Sequence, residues 1–333
     1  MSVPKVTVLT AVRNGAPYLS ETIANIQVQT FSDWEYVIVD DNSDDKTIEI
    51  VEAARRKDSR LKLLRREISA GPYVAANDGL RIARGGYIVR IDADDLCPPC
   101  RIEKQLDFLA AHPEYRACVS YWQGFNSKGL IQNTITEIPR NPRVFRWALL
   151  LRAPSIHSTA CFERAAINEI GGYRELPLSQ DFRMWCELTR RGWLGTIPEV
   201  LCYVRYHAKR QSFQNTSVQY ELALDVLDDH LRALTGQTWP RSELETLRAV
   251  GLSMPVSVDR GIEMIERWDR LWRAAPDLTP RDRRDLAKLS ARRRWKHLRT
   301  NARREPFNVL LGLARLATAN YRYLIAAEKG TTI

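Results

Sequence analysis

Two acidic clusters stand in the sequence directly after apolar runs. Tyr36–Val39 is followed by Asp40-Asp41-Asn42-Ser43-Asp44-Asp45, and Tyr87–Ile91 is followed by Asp92-Ala93-Asp94-Asp95. Carboxylates gathered so closely repel one another unless a cation or hydrogen-bond donors compensate them. The Asp-x-Asp pair that opens the second cluster could hold Mg²⁺ or Mn²⁺ against a diphosphate, because such cations take oxygen ligands and phosphates. For either cluster alone, the alternative is a helix N-cap in a solvated loop.

No phosphate-binding loop of the common kinds accompanies these clusters. The first strand-like run ends in Ala11-Val12-Arg13-Asn14-Gly15, which is not a Gly-x-Gly-x-x-Gly sequence, and the chain has no Gly-Lys-Ser/Thr loop. The anions of a bound nucleotide would then need neutralisation by other means. A divalent cation held by aspartate supplies it.

The elements that must position the clusters follow from the apolar pattern. We expect strands at Val6–Val12, Tyr36–Val39, Leu61–Leu64, Tyr87–Ile91 and Ala117–Tyr121, alternating with helices at 17–29, 47–56, 74–83 and 101–111. This alternation predicts an α/β fold with a mostly parallel sheet and helices on both faces. Ligands bind beyond the carboxyl ends of the strands in such sheets, which is where both acidic clusters fall.

The second half of the chain changes character. Residues 126–143 resemble a loop or edge hairpin, and mixed structure returns with a helix at Phe182–Arg190 and a strand at Val200–Tyr206. Residues 218–328 read as helices with polar breaks near 235–239, 253–259 and 277–279. We therefore predict an α/β domain over residues 1–210 and a helical, basic extension over residues 211–333.

The ordered motifs give the chain a family resemblance over about residues 4–210. It resembles the family 2 glycosyltransferases, inverting sugar-nucleotide enzymes with the GT-A fold. The matching segments occur in family order: Val6–Asn14, Gln29–Glu35, Val39–Asp45, Gly71–Asn77, Gly85–Asp95, Pro99–Gln105, Ile170–Glu175, Gln180–Trp185 and Tyr203–His207. Two positions depart from the family pattern, since Ala76 stands where an arginine is common and Arg13 where a tyrosine is common.

The resemblance implies a role for each matching residue. Asp41 would accept the imino hydrogen of the nucleobase, with Asp40 beside it, while Asp92 would hold ribose or donor-sugar hydroxyls. The expected metal ligands are Asp94, Asp92 and His207, and the metal is Mn²⁺ or Mg²⁺. The expected contacts to the nucleotide sugar are Ala11, Arg13, Asp40, Asp41, Asn77, Asp92 and Ala93. UDP is the expected nucleotide of the donor, with GDP or dTDP as alternatives.

The resemblance also implies a catalytic base. Asp181 stands where the family places it, with Gln180 in the place of a common glutamate. The alternative is that Asp181 caps the following helix. The alternative to metal binding by His207 is a surface or structural role. His157 is a candidate for the acceptor side.

The implied reaction transfers a sugar, with inversion, from a nucleotide diphosphate to a hydroxyl of a glycan or lipid-linked glycan in surface polysaccharide assembly. Three other functions stay open. A nucleotidyltransferase usually carries a glycine-rich basic loop after the first strand, of which Arg13-Asn14-Gly15 falls short. A protein that binds the donor without turnover is the second. A nucleic-acid-binding protein is the third, but no nucleic-acid motif appears and most of the chain is near neutral.

Net charge is concentrated in one segment. The 333-residue chain carries a formal charge of +10, and the segment 281–304 holds eleven basic and two acidic residues. Beyond it, apolar residues from Phe307 fall on one helical face. We therefore expect peripheral contact with an anionic membrane surface through residues 281–328, with a helix packed on the core as the alternative.

Composition limits the cellular setting. The sequence contains no run of about 18 uncharged apolar residues, the length that could span a bilayer, and it shows no leader pattern. We therefore expect a cytoplasmic protein with peripheral association at the inner membrane face. Of six cysteines only Cys97 and Cys100 are close in sequence. A redox or zinc pair is possible at that spacing, but no second ligand pair accompanies it, and reduced thiols are expected.

Overall fold

The computed structural model describes residues 3–131, 138–174, 179–207, 216–302, 304–305 and 308–309. The chain forms two compact units, the first made of residues 1–142 and 154–223 and the second of residues 143–153 and 224–333. The predicted boundary at 210/211 lies in a segment outside the described residues. The second unit also takes in residues 143–153, because that segment buries Phe145 and Trp147 there, and the Trp147 carbonyl accepts a hydrogen bond from Trp268 Nε1 (3.1 Å).

A mixed eight-stranded sheet forms the centre of the first unit. Its order is β3-β2-β1-β4-β7-β5-β6, with β8 beside β5. β1 is parallel to β2 and β4, β2 to β3, and β5 to β8, whereas β7 is antiparallel to β4 and β5, and β6 to β5. The strands are β1 Val6–Val12, β2 Trp34–Asp40, β3 Leu61–Arg65, β4 Tyr87–Arg90, β5 Ala117–Asn126, β6 Gly129–Leu130, β7 Cys161–Glu163 and β8 Leu194–Arg205.

Helices and close packing hold this sheet. The helices of this unit are α1 Leu19–Gln27, α2 Thr47–Lys57, α3 Pro72–Ile82, α4 Arg101–Ala111, α6 Arg164–Glu169 and α7 Gln180–Arg190, with a 3-10 helix at His157–Thr159; α5 Pro142–Ala148 lies in the second unit except for its first residue. β2 is buried along its whole length, as a strand covered on both faces must be. A Cβ on Gly79 of α3 would lie 2.3 Å from Leu9 Cδ1 of β1, so only glycine allows this approach.

The prediction of an α/β fold is confirmed. Among the described residues, four of the seven strand pairings are parallel, and the antiparallel ones include those of three-residue β7 with β4 and β5. The expected loop or hairpin at 126–143 contains β6, which pairs with the end of β5 at Phe125 and Asn126. Residues 132–137 lie outside the described residues.

Helices build the second unit. They are α9 Arg241–Leu252, α10 Val258–Ala274 and α11 Pro280–Asn301, and α8 Thr216–Thr235 contains the boundary between the units. The three predicted polar breaks separate these helices. Thr279 and Asp282 form a reciprocal capping box at the start of α11, where Pro280 occupies the first turn. In the described part of the chain, no helix is both long and apolar enough to cross a membrane.

All six cysteines are described, and all are free thiols. Burial raises the pKa of the Cys97 thiol, although Arg101 opposes the shift. A thiol with a raised pKa is a poor nucleophile and a poor metal ligand at neutral pH. The redox or zinc alternative for Cys97 and Cys100 therefore gains no support.

Candidate active site

The carboxyl ends of β1, β2 and β4 meet at one edge of the sheet. Val12 pairs with Asp40 in register, and Leu9 pairs with Arg90. Backbone amides of the loop after β1 reach the loop after β2, since Asn14 N donates to Ser43 Oγ (2.9 Å). A hydrogen bond therefore connects the loop after β1 with the loop after β2.

The first acidic cluster is compensated by protein donors. The carboxylate of Asp41 accepts hydrogen bonds from Ser69 Oγ (2.8 Å), Ala70 N (3.1 Å) and Gly71 N (3.0 Å), and its Oδ1 lies 2.9 Å from Arg66 Nε. Only 4% of Asp41 is exposed. Asp41 therefore organises the loop before α3, and its expected contact with the nucleobase stays a prediction.

Other predicted nucleotide contacts lie beside Asp41. Asp40 accepts Ser43 N at Oδ2 (3.1 Å), and within the described residues its buried Oδ1 has no hydrogen-bond partner. Arg13 is exposed and donates to Ser69 Oγ (3.3 Å). Half-buried Ala11 pairs with Val39 in the ladder of β1 and β2. Ala11, Arg13 and Asp40 therefore lie at or near the carboxyl ends of β1 and β2, beside Asp41.

The second cluster rests on a buried cation that the sequence interpretation missed. Arg90, 2% exposed, donates from Nη1 to the carbonyls of Leu9 (2.8 Å) and Ile91 (2.7 Å). Its Nη2 lies 3.1 Å from Asp92 Oδ1. The Asp92 amide donates to Ser158 Oγ (2.9 Å). An arginine inside an otherwise apolar strand was the available signal, since a buried guanidinium requires partners.

Asp94 and His207 form the closest pair of predicted metal ligands. His207 Nε2 lies 2.8 Å from Asp94 Oδ2. β8 brings them together, because Leu96 and Tyr203 exchange backbone hydrogen bonds (3.0 and 2.7 Å) and Arg205 Nε donates to the Asp94 carbonyl (2.9 Å).

The three predicted metal ligands do not form one cluster. Asp92 pairs with Arg90, and the described residues contain no group of three or more His, Cys, Asp or Glu side chains placed to hold a metal. Ala93, between the two aspartates, accepts Thr22 Oγ1 at its carbonyl (2.9 Å), which fixes the backbone of the loop. Of the three predicted metal ligands, Asp94 and His207 are thus the two whose side chains lie in contact.

Asn77 makes a different contact from the predicted nucleotide contact. Its Nδ2 donates to the Tyr173 carbonyl (2.6 Å), and its Oδ1 accepts the Tyr173 amide (2.9 Å). Asn77 therefore ties α3 to the chain after Gly171 and Gly172, both of which have positive φ. This reciprocal pairing gives Asn77 a structural role, and its expected contact with the nucleotide stays a prediction.

The buried Tyr173 hydroxyl is influenced by several charges. Burial raises the pKa of Tyr173 well above its usual value, Arg90 opposes this shift, and the negative charges of Asp92 and Asp181 add to it. Both carboxylates therefore disfavour ionisation of this hydroxyl. Asp181 Oδ1 accepts Phe182 N (2.8 Å), but the N-cap of α7 is Ser179, so Asp181 lies in the first turn of the helix and is not its capping residue.

His157 supports Tyr173 from the opposite side. Its Nε2 lies 2.7 Å from the Tyr173 hydroxyl, and the imidazole is buried against Trp185. Burial, with Arg90 nearby, lowers the pKa of His157 to about 3, so the ring is neutral at physiological pH. The contacts of His157 are therefore those of a core residue.

Curated relatives align with most of this chain. An uncharacterized glycosyltransferase of Haemophilus influenzae is 29% identical over 238 residues, which cover 68% of this chain and 73% of the relative. EpsE of Bacillus subtilis, named as a glycosyltransferase, is 30% identical over 63% of this chain and 77% of its own length. An Escherichia coli UDP-Gal:alpha-D-GlcNAc-diphosphoundecaprenol beta-1,3-galactosyltransferase is 24% identical over 66% of this chain and 80% of its own length.

Solved structures share the fold. Staphylococcus aureus TarS 1–349, solved with UDP-GlcNAc, superposes with a TM-score of 0.59 at 18% identity and covers 89% of each chain. Pyrobaculum calidifontis mannosyltransferase PcManGT, solved with GDP-Man and Mn²⁺, superposes with a TM-score of 0.56 at 19% identity over 95% of this chain and 88% of its own. These likenesses establish the GT-A fold. The model of glycosyl transferase family 2 matches residues 7–171, and the chain belongs to that family.

Proposed function

We propose that this glycosyltransferase is inverting and metal-dependent, and that it moves a sugar from a nucleotide diphosphate to a hydroxyl of a glycan or lipid-linked glycan in surface polysaccharide assembly. The observation that carries the proposal is the pairing of Asp94 with His207, whose Nε2 lies 2.8 Å from Asp94 Oδ2. A carboxylate and an imidazole from two different parts of the chain thus meet beside the strand ends, where ligands of such sheets bind.

Asp94 and His207 would hold the metal in this proposal. Carboxylate oxygen and imidazole nitrogen together suit Mn²⁺ better than Mg²⁺, which prefers oxygen ligands alone. Two protein ligands are enough when a bound diphosphate supplies others. When bound, the metal would offset negative charge on the leaving diphosphate.

Asp181 would be the general base. The N-terminus of α7 favours an ionised carboxylate, the form that can accept a proton. Asp181 would take the proton of the acceptor hydroxyl as the hydroxyl oxygen bonds to the anomeric carbon and the bond from that carbon to the diphosphate breaks. A positioned base contributes roughly 10²–10⁴-fold in rate. The hydrogen bond to Phe182 N would then fix the orientation of the base.

The nucleotide and the acceptor are inferred from relatives. TarS was solved with UDP-GlcNAc, and the name of the E. coli relative specifies UDP-Gal and a diphosphoundecaprenol acceptor. PcManGT was solved with GDP-Man. A UDP-sugar is therefore the first expected donor, with GDP- or dTDP-sugars as alternatives, and a lipid-linked glycan is the first expected acceptor.

A lipid-linked acceptor would require the enzyme to act at a membrane surface. We propose a cytoplasmic protein with peripheral contact at the inner membrane face through residues 281–328. Within the described residues, exposed Arg281, Arg284, Arg292 and Trp295 support this contact, since cations and tryptophan suit an anionic lipid interface. The apolar helix expected from Phe307 lies mostly outside the described residues.

One experiment tests the transfer reaction. Purified protein is incubated with UDP-, GDP- or dTDP-sugars and Mn²⁺, and release of nucleoside diphosphate is measured for the wild type, Asp94→Asn and Asp181→Asn. We expect a fall of at least about 10²-fold for each variant. Asp107→Asn, an exposed aspartate on α4, is the matched control.

Each alternative function predicts a different result. A nucleotidyltransferase would form the sugar nucleotide from a sugar 1-phosphate and a nucleoside triphosphate instead. A donor-binding protein would bind the nucleotide without releasing diphosphate. Hydrolysis that persists in Asp181→Asn would contradict the assignment of the base.

A further inference from the structure

The basic segment 281–304 does not present all its charge outward. Arg283 donates to the Ala275 carbonyl (2.7 Å), and Arg294 lies 2.6 Å from Asp269. These arginines hold α11 against the preceding helix and are used within the second unit. Part of the positive charge of this segment is therefore used for contacts inside the second unit.

Four cations of the second unit form a group without a carboxylate. Among the described residues, no ion pair is found for any of them, and we name the group the Arg152 cluster. Its members are Arg152, Arg293, Lys296 and Arg299. The cluster combines the segment after α5 with one side of α11.

Close backbone packing brings the cluster together. A Cβ on Gly251, near the end of α9, would lie 1.7 Å from the carbonyl oxygen of Leu151, so the chain leading to Arg152 passes directly over that glycine. Arg293 donates to the Gly251 carbonyl (2.7 Å) and to Ser253 Oγ (3.3 Å). The backbone just before Arg152 and the side chain of Arg293 therefore both lie at the last turn of α9.

The charges act on one another. Burial lowers the pKa of Arg293 to about 10, and Arg152 adds to the shift. Burial also lowers the pKa of Lys296, and Arg152, Arg293 and Arg299 lower it further. Like charges without a counter-charge destabilise a fold.

Helix capping accounts for part of the cluster. Carbonyls at the end of a helix attract cations, which explains the contact of Arg293 with Gly251. It does not explain Arg152 or Lys296, which have no acceptor among the described residues. Helix capping also leaves the buried Nε atom of Arg293 without a hydrogen-bond partner in that part of the chain. Arg293 as a whole is only 6% exposed.

We propose that Arg152, Arg293, Lys296 and Arg299 form a binding site for a phosphate-type oxyanion. Guanidinium groups match phosphate oxygens in geometry and charge, and an ammonium group adds a further donor. The oxyanion is either a soluble phosphate or diphosphate, or the phosphate of a lipid. The site deepens the membrane contact proposed above, and rests on it only if the phosphate belongs to a lipid.

The test uses the full chain and two probes. Inorganic pyrophosphate is titrated calorimetrically in the absence of divalent cations, and sedimentation is measured with phosphatidylglycerol–phosphatidylcholine vesicles against phosphatidylcholine alone. The double variant Arg152→Gln/Lys296→Gln is compared with Arg260→Gln/Arg270→Gln, which removes the same charge from exposed positions of α10, outside both the cluster and residues 281–328. We expect the first variant to bind at least one probe about tenfold more weakly, and the control to bind like the wild type.

The outcomes separate the sources of phosphate. Loss of pyrophosphate binding alone assigns a soluble phosphate and removes the lipid source, whereas loss of vesicle binding alone assigns a lipid phosphate. The proposal is overturned if the cluster variant and the control behave alike with both probes. Lys296→Gln alone, at an exposed position, repeats the comparison if the double variant does not fold. Sugar transfer keeps its own test in Asp94→Asn, so failure of one proposal does not decide the other.

Discussion

His207 Nε2 lies 2.8 Å from Asp94 Oδ2, although 113 residues separate them in the chain. The ring of Tyr18 lies beside His207, with 4.7 Å between centroids, and restricts its orientation. The imidazole is therefore fixed before any ligand binds. Preorganisation of this kind reduces the cost of binding a metal.

Replacement of His207 tests its part in metal binding. His207→Ala should raise the Mn²⁺ concentration needed for half-maximal donor hydrolysis by about 10–100-fold, the range known for residues that support a metal site. His112→Ala, at an exposed position after α4, serves as the control. An unchanged Mn²⁺ requirement would leave His207 with only its packing on Tyr18.

Replacement of Arg90 tests the cation beneath Asp92. Arg90→Met removes the donor to two buried carbonyls and leaves Asp92 without its cation, so we expect unfolding free energy to fall by about 2–4 kcal/mol. Urea denaturation measures the change. Arg65→Met, on the exposed end of β3, is the control, and equal stability of the two variants would contradict the role of Arg90.

Replacement of Asn77 distinguishes a structural role of this residue from a role in nucleotide binding. Asn77→Ala loses both hydrogen bonds to the Tyr173 backbone and should cost about 1–3 kcal/mol of stability. Asn77→Asp should be at least as unstable, because a carboxylate cannot donate to the Tyr173 carbonyl. A stable Asn77→Ala variant with a raised donor KM would return Asn77 to the nucleotide pocket.

The lowered pKa of His157 predicts loss of stability in acid. The unfolded chain binds a proton at His157 below about pH 6.5, whereas the folded protein resists protonation down to about pH 3, so stability falls as pH falls between these values. Urea unfolding at pH 7 and pH 5 should show about 2 kcal/mol less loss for His157→Gln than for the wild type. His112→Gln should lose as much as the wild type, and an equal loss in His157→Gln would contradict burial of a neutral imidazole.

Local patterns predicted the elements well. β1 and α4 have the bounds expected from their apolar periods, and the helices of the second unit end near the expected polar breaks. Such features depend on neighbours three or four residues away, which the sequence displays directly. The start of α7 at Gln180, two residues before the expected Phe182, is an ordinary boundary difference.

Long-range order could not be predicted in the same way. β7 has three residues and no periodic signal, so its antiparallel place between β4 and β5 depends on tertiary packing. β8 was expected from Val200 but begins at Leu194, and its pairing with β5 contains register shifts near Tyr121. Irregular pairing of this kind leaves no local pattern.

The site was predicted at the level of position and not of partners. Acidic clusters at strand ends follow from topology, which locates Asp92 and Asp94 correctly at the edge of the sheet. The hydrogen bonds that engage Asp41 and Asn77 come from residues 28–30 and 96 positions away. A sequence motif identifies such residues without showing whether they contact a ligand or their own backbone.

The bridge between Leu96 and Tyr203 has a consequence for biosynthesis. Because the loop that holds Asp92 and Asp94 is completed by a strand more than a hundred residues downstream, a ribosome-bound chain cannot form it until Tyr203 has left the exit tunnel. Nascent chains that stall earlier would expose the unpaired edge of β5, a known route to aggregation. Slow closure through distant contacts would therefore make completion of this loop one of the last events in synthesis of the first unit.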